Sequence, residues 1–163
     1  MMSPAKKSIL VIGGAGKFGS RLCDELAARG WHPVVVDNLS SGSGERVQRG
    51  PLVKFDARET PRLVRSLQEH AAVDLIHCAL LEDSPATDPG ILYEQHLKTT
   101  LSLLQALKEA KGRSLCVVSS GGRTEALLQR LLSDCATAYG FRAELVTSRP
   151  ESAALERIFS TLG

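Results

Sequence analysis

The run Gly13-Gly14-Ala15-Gly16-Lys17-Phe18-Gly19 constrains this chain more than any other feature. It follows the apolar run Ser8–Ile12. It opens an amphipathic stretch from Lys17 to Arg29, with Phe18, Leu22 and Leu26 on one face. A strand enters the glycines and a helix leaves them, which is the context a dinucleotide-binding turn requires. Gly13 permits a tight turn, Gly16 lets backbone N–H groups approach a pyrophosphate, and Gly19 lets the helix pack closely on the strand. The helix N-terminus then offers unpaired N–H groups and a partial positive charge to phosphates. Lys17, Phe18 and Gly19 join Gly13 and Gly16 as cofactor-binding candidates, Lys17 as a cation near the phosphates. A second element supports the first. Asp37 closes the strand Pro33–Asp37, and an acid roughly 20 residues beyond the glycines accepts hydrogen bonds from the adenosine ribose. Its charge repels a 2′-phosphate, so the expected cofactor is NAD rather than NADP.

The rest of the chain alternates short apolar runs with amphipathic stretches. Strands are expected at Leu52–Phe55, Val73–Cys78, Ser114–Ser119 and Arg142–Ser148. Helices are expected from Thr60 (as N-cap, before Pro61) to His70, from Ile91 to Lys111 with Gly112 as its stop, and from Arg123 to Tyr139 with Gly140 as its stop. Pro150 is expected to open a last short helix, and Asn38–Gly50 to form a polar loop. Strand–helix alternation at this spacing implies right-handed crossovers and a parallel sheet. The expected fold is a Rossmann-type, doubly wound α/β domain of about six strands in the order 3-2-1-4-5-6, with helices on both faces and the whole of 1–163 as one domain.

Composition narrows the partners. Of 163 residues, 43% are hydrophobic and only 4% aromatic, so the core must be built from Leu, Val, Ile and Ala. The formal net charge is +2 with acids and bases interspersed, which gives no reason to expect nucleic acid. No stretch approaches a membrane span, and Met1–Lys7 with the short run after it does not make a signal peptide. Cys23, Cys78, Cys116 and Cys135 are too far apart in sequence for a CxxC pair, and neither they nor the histidines show zinc spacing. Reduced cysteines and a cytoplasmic location are expected, with no metal.

These residues resemble a known family. GGAGKFGS followed by VVVDNLSSG looks like the extended short-chain dehydrogenases/reductases, in particular the NAD-dependent epimerase/dehydratase family of which UDP-glucose 4-epimerase is a member. Phe55-Asp56-Ala57-Arg58 is similar to the family segment whose aspartate meets the adenine. Val73–Ala79 resembles its D-x-V-x-H-x-A-A strand, and Tyr93–Leu101 its Y-x-x-N-V-x-G-T-x helix start. The resemblance runs to Arg149. It implies that Asn38, Ser40, Asp56, Ala57, Cys78, Ala79, Ser120 and Glu125 also border the cofactor.

The departures from the family pattern bear on chemistry. The family uses a serine closing the fifth strand, then a tyrosine and a lysine four residues later. Ser120 matches the serine, but the long loop that should follow it is missing. On the register of the next helix, Gly121 takes the tyrosine position and Glu125 the lysine position. Glycine offers no acid or base, and a carboxylate cannot lower a neighbouring phenol's pKa as an ammonium does. A negative Glu125 beside the nicotinamide ribose would favour NAD⁺ over NADH by about 1 kcal/mol. His96 replaces the family asparagine, either as a substitute acid–base group or as a tolerated surface histidine, and Ile12 stands where a threonine is usual. The family's sugar-binding C-terminal portion is not represented.

Two readings follow. In one, the chain is a catalytically degenerate NAD(H)-binding protein that senses cofactor or supports a partner. In the other, an epimerase, dehydratase or reductase works through Ser120, His96 or residues of a partner chain. No pattern names a substrate. The helices 91–111 and 123–139 carry more leucines than one sheet face needs. In the family their equivalents pair across a dimer, so a homodimer is expected, unless the C-terminal helix Glu151–Leu162 covers the surplus.

Overall fold

The computed structural model describes residues 5–149 and 151–163. The expected opening of the last helix by Pro150 and the start of the N-terminal segment lie outside the described residues. Six strands form one parallel sheet: β1 (Lys7–Ile12), β2 (Trp31–Asp37), β3 (Leu52–Lys54), β4 (Asp74–His77), β5 (Ser114–Ser119) and β6 (Arg142–Thr147). Their spatial order is β3-β2-β1-β4-β5-β6. Between them run α1 (Lys17–Ala28), α2 (Thr60–Glu69), α3 (Pro89–Glu109) and α4 (Glu125–Tyr139), and α5 (Glu151–Leu162) ends the chain.

Period-two alternation along the strands builds a core on each face. Leu10 and Ile12 of β1, Val34 and Val36 of β2, and Leu115 and Val117 of β5 face α2, α3 and α4. Ile9, Val11, Val35, Cys116 and Val118 face α1 and α5, where Leu22, Leu26, Ala154, Ile158 and Leu162 meet them. Helix α5 therefore covers the face opposite α3 and α4, which corrects the alternative that it shields their leucines. All four cysteines are free. No helix among the described residues is long and apolar enough to cross a membrane.

Several element ends differ from the sequence reading, each for a local reason. Glu59, not Thr60, caps α2, because the Thr60 hydroxyl bonds Ser102 of α3 at 2.9 Å. Helix α3 begins two residues early at Pro89, since Asp88 caps it by accepting from the Ile91 amide at 3.0 Å. Its far end turns through Lys111, at φ 54°, and not through Gly112, which instead donates to the Leu107 carbonyl. Helix α4 begins two residues late, because Arg123 and Thr124 are engaged by other segments, described below.

Asp74 anchors the end of the sheet remote from the glycines. Its buried carboxylate accepts from Arg113 at 2.6 and 3.1 Å and from the Ser114 hydroxyl at 2.5 Å. At the other end, α1 lies against the end of β1 so closely that a Cβ on Gly19 would collide with the Gly13 carbonyl oxygen. Gly19→Ala must push the helix away, and overpacking of this kind costs about 1–3 kcal/mol. Urea unfolding of this variant is expected to show a lower midpoint with an unchanged slope; an unchanged midpoint would mean the contact is slack.

Candidate functional site

The crossovers reverse direction between β1 and β4, and ligands of such sheets bind outside the carboxyl ends of the strands at that point. The glycine turn leaves β1 there and Cys78 and Ala79 leave β4 there. Gly13 sits at φ 80°, and a Cβ on it would stand 2.7 Å from the Ala79 side chain. Its amide continues the sheet ladder to the Val36 carbonyl at 2.8 Å, and the Cys78 amide does the same to Ile12 at 2.7 Å. Gly16 caps α1 without a side chain, leaving the first-turn N–H groups of the helix facing outward with no side-chain partner.

A crevice of about 600 Å³ opens at this place. It brings together Gly13, Gly16, Asp37, Asn38, Ser40, Asp56, Ala57, Cys78 and Ala79, and Ile12 forms part of its wall. Lys17, Phe18 and Gly19 lie in the first turn of α1 beside it. Lys17 is exposed, Phe18 packs into the core beneath α1, and Gly19 serves the helix–strand contact. Ser120 and Glu125 do not line the crevice. Ser120 is exposed, and Glu125 accepts from the Thr147 hydroxyl at 3.4 Å.

Asp37 holds the rim. One carboxylate oxygen accepts from the Ala15 amide at 3.1 Å and the other from the Leu39 amide at 2.8 Å. This ties the end of β2 to the glycine turn and holds Leu39 at φ 61°. An ionised carboxylate has about four acceptor sites, so two remain for ribose hydroxyls. The loop beyond folds back over the turn: Ser43 donates to the Ala15 carbonyl at 3.0 Å. Asp56 is paired with Arg58 at 2.7 Å, and that hydrogen bond holds its carboxyl below the usual range. These groups suit an adenosine diphosphate: uncapped helix amides for phosphate, a free carboxylate edge for ribose, and an apolar wall from Phe55 and Ala57 for a base.

His96 is a correction in one respect. It is buried, not on the helix surface. Its Nε2 lies 2.8 Å from the Leu81 carbonyl and its Nδ1 2.6 Å from the Thr124 hydroxyl. A carbonyl only accepts, so Nε2 carries the hydrogen and Thr124 donates to Nδ1. Burial lowers its pKa and keeps this neutral form. Both nitrogens are spoken for, and the ring does not line the crevice. His77, within β4, is fully buried, and its amide-facing Nδ1 accepts from Ala79 at 3.3 Å. Desolvation, aided by nearby His96, pushes its pKa down to about 3. Burial also raises the thiols of Cys23 and Cys116 to about 12 and that of Cys78 well above its usual value, so they behave as small apolar groups. Among the described residues no group of three or more His, Cys, Asp or Glu could hold a metal.

The sequence reading missed the connection that follows β4. The Asp83 carboxylate accepts from the backbone and guanidinium of Arg123, with contacts at 2.7, 3.0 and 2.7 Å. Arg123 also donates to the Thr87 carbonyl, and the Tyr93 hydroxyl donates to the Arg123 carbonyl. Gln95, next to His96, bonds the Leu81 amide and the Ala79 carbonyl. No short-range pattern signals pairs so far apart in the chain.

Residues 9–137 match the NAD dependent epimerase/dehydratase family. A UDP-glucose 4-epimerase of Rhizobium leguminosarum bv. trifolii is 39% identical over 132 residues, 80% of this chain and 40% of that protein. One from Rhizobium meliloti (strain 1021) is 43% identical over 101 residues, covering 61% and 31%. The chain thus spans less than half the length of these relatives. The crystal structure of UDP-glucose 4-epimerase from Brucella ovis in complex with NAD superposes with a TM-score of 0.81 at 30% identity, over 86% of this chain and 51% of that one.

The buried histidines make a testable statement about pH. A folded pKa below the unfolded value of 6.5 means the unfolded chain binds the proton first. For His77, stability is then full above pH 6.5 and falls as pH drops toward about 3, by about 1.4 kcal/mol per pH unit while it is held neutral, and His96 acts in the same direction. Between pH 6.5 and 5 most carboxylates stay ionised, so this window isolates the effect. His77→Gln is expected to flatten the slope of unfolding free energy there; an unchanged slope would show that His77 is not the group responsible.

Proposed function

The chain belongs to the NAD dependent epimerase/dehydratase family, and from that premise we propose that it is an NAD(H)-binding module that does not carry out the family's sugar chemistry. It serves as a cofactor-binding, sensing or partner-supporting domain. One observation carries the reading. The adenosine side of the crevice is complete, with Asp37 oriented by two backbone amides. On the register read from the sequence, Gly121 and Glu125 take the tyrosine and lysine positions. Bound NAD supplies a hydride acceptor, but the hydroxyl being oxidised must lose a proton to a nearby base. Gly121 has no side chain, and Glu125 is turned toward Thr147. The substitutes weighed from the sequence are poorly placed: His96 is buried with both nitrogens bonded, and Ser120 lies outside the crevice.

NAD(H) is the expected cofactor, with NADP(H) disfavoured by the Asp37 carboxylate. Calorimetry is expected to give NAD⁺ at least a tenfold advantage over NADP⁺, about 1.4 kcal/mol. Asp37→Asn removes the charge while keeping an acceptor for one of the two backbone amides, and should erase most of that advantage. Equal affinities in the unaltered protein would contradict the assignment. The purified chain alone is expected not to interconvert UDP-glucose and UDP-galactose. Turnover that survived both Ser120→Ala and His96→Ala would show that the site works through groups not identified above.

A homodimer through α3 and α4 is part of the same proposal. Most leucines of these helices are consumed by the chain's own core, including Leu92, Leu103, Leu104, Leu107, Leu128 and Leu132. The large aliphatic side chains that remain outside are Ile91, Leu101 and Leu127, 61%, 49% and 40% exposed, on helices that α5 does not cover. Light scattering at high micromolar concentration is expected to give twice the chain mass, and Leu101→Glu with Leu127→Glu to halve it. A monomer in the unaltered protein would contradict the interface.

A further inference from the structure

We infer that the crevice is a site for the adenosine diphosphate group as such, so that affinity is set by adenine, ribose and two phosphates and is blind to what is attached beyond them. Its ligand class is then ADP, ADP-ribose and the dinucleotides that contain them, in either redox state. The inference rests on the nucleotide-binding reading above and goes beyond it.

Three observations carry it. The first is the extent of the crevice. On the β2 and β3 side its wall is made by Asp37, Asn38 and the segment Ser40 to Gly42, and by Phe55 to Arg58. On the other side it ends with the residues that follow β4, at Glu82, and with Gln95 and Thr99 of α3. Nothing from the β5–α4 turn or the end of β6 contributes to it. A dinucleotide in this fold lies across the switch point, with its second half toward β4 and β5. Among the described residues that half has no wall.

The second observation is what stands between β4 and β5. The connection 78–88 is bound to the β5–α4 turn by the Asp83 contacts with Arg123 and by the bond from Arg123 to Thr87. His96 adds a buried bridge from Leu81 to Thr124. The fit is close: a Cβ on Gly122 would stand 2.6 Å from the Asp83 carboxylate. Gly121 and Gly122, at φ 91° and 133°, turn the chain tightly beneath it. The two strand exits are joined where a second nucleotide would spread them.

The third is chemical. The groups by which this chain would recognise a nicotinamide ribose, Ser120 and Glu125, do not line the crevice, and Glu125 addresses Thr147 instead. The preference for NAD⁺ over NADH expected from a carboxylate beside the ring therefore has no structural support. The acid Glu82 is also among the residues that line the crevice at its β4 end.

The test compares ADP, ADP-ribose, NAD⁺, NADH and nicotinamide mononucleotide on the full chain by calorimetry, with saturation-transfer NMR on the NAD⁺ complex. ADP-ribose, NAD⁺ and NADH are expected to bind within threefold of one another. The mononucleotide should give no saturable binding. Saturation should be strong at the adenine protons and weak at the nicotinamide protons. NAD⁺ or NADH binding more than tenfold tighter than ADP-ribose, or saturation equally strong at both rings, would overturn this inference while leaving the nucleotide-binding reading intact. Failure of every adenine nucleotide to bind would overturn both.

Discussion

Helix α1 can reach the end of β1 only because Gly19 places no side chain against the Gly13 carbonyl. That one close approach sets the direction of the helix N-terminus, and the rest of the crevice is referred to it. With the helix seated, Gly16 leaves its first-turn amides uncapped, and the left-handed Gly13 can pass beneath Ala79. The Asp37 carboxylate then has a fixed partner in the Ala15 amide. Backbone positions hold the arrangement, so little of it depends on side-chain rotamers. Such a site is preorganised: few dihedrals need ordering when a ligand arrives.

The sheet carries that turn to the right place. Parallel strands buried on both faces put the carboxyl ends of β1, β2 and β4 in one row, and the reversal of crossovers between β1 and β4 leaves the row uncovered there. Around it the protein spends polar groups on holding loops, not on presenting reactive ones. Asp56 holds Arg58, Asp83 holds Arg123, and His96 joins three segments while buried and neutral. Asp56, Asp83 and His96, each of which could have been an acid or base, are engaged in structural ties instead.

Much of this was legible in the sequence, and the legible part has a common character. The strand order, both helix layers and the glycine turn follow from local spacing, because each is dictated within one strand–turn–helix unit. Nine of the cofactor-site residues expected from the sequence meet in the crevice. The burial of His96 was also available, since it falls on the stripe of Leu92, Thr100, Leu103 and Leu107; reading it as a replaced asparagine obscured that periodicity. The Asp83–Arg123 tie was not available. It joins two loops that no period describes, and it forms only once β4 and β5 lie side by side. The start of α4 was misjudged for the same reason, its first residues being drawn into that contact.

The central claim is that the glycine turn and Asp37 hold the adenosine diphosphate half of a nucleotide at the switch point. A crystal structure of the chain grown with NAD⁺ tests it most directly. The account predicts density for the diphosphate against the first turn of α1, both adenosine ribose hydroxyls on the Asp37 carboxylate, and a nicotinamide end without protein contacts. A nucleotide bound elsewhere, or one in this crevice whose ribose does not touch Asp37, would contradict it.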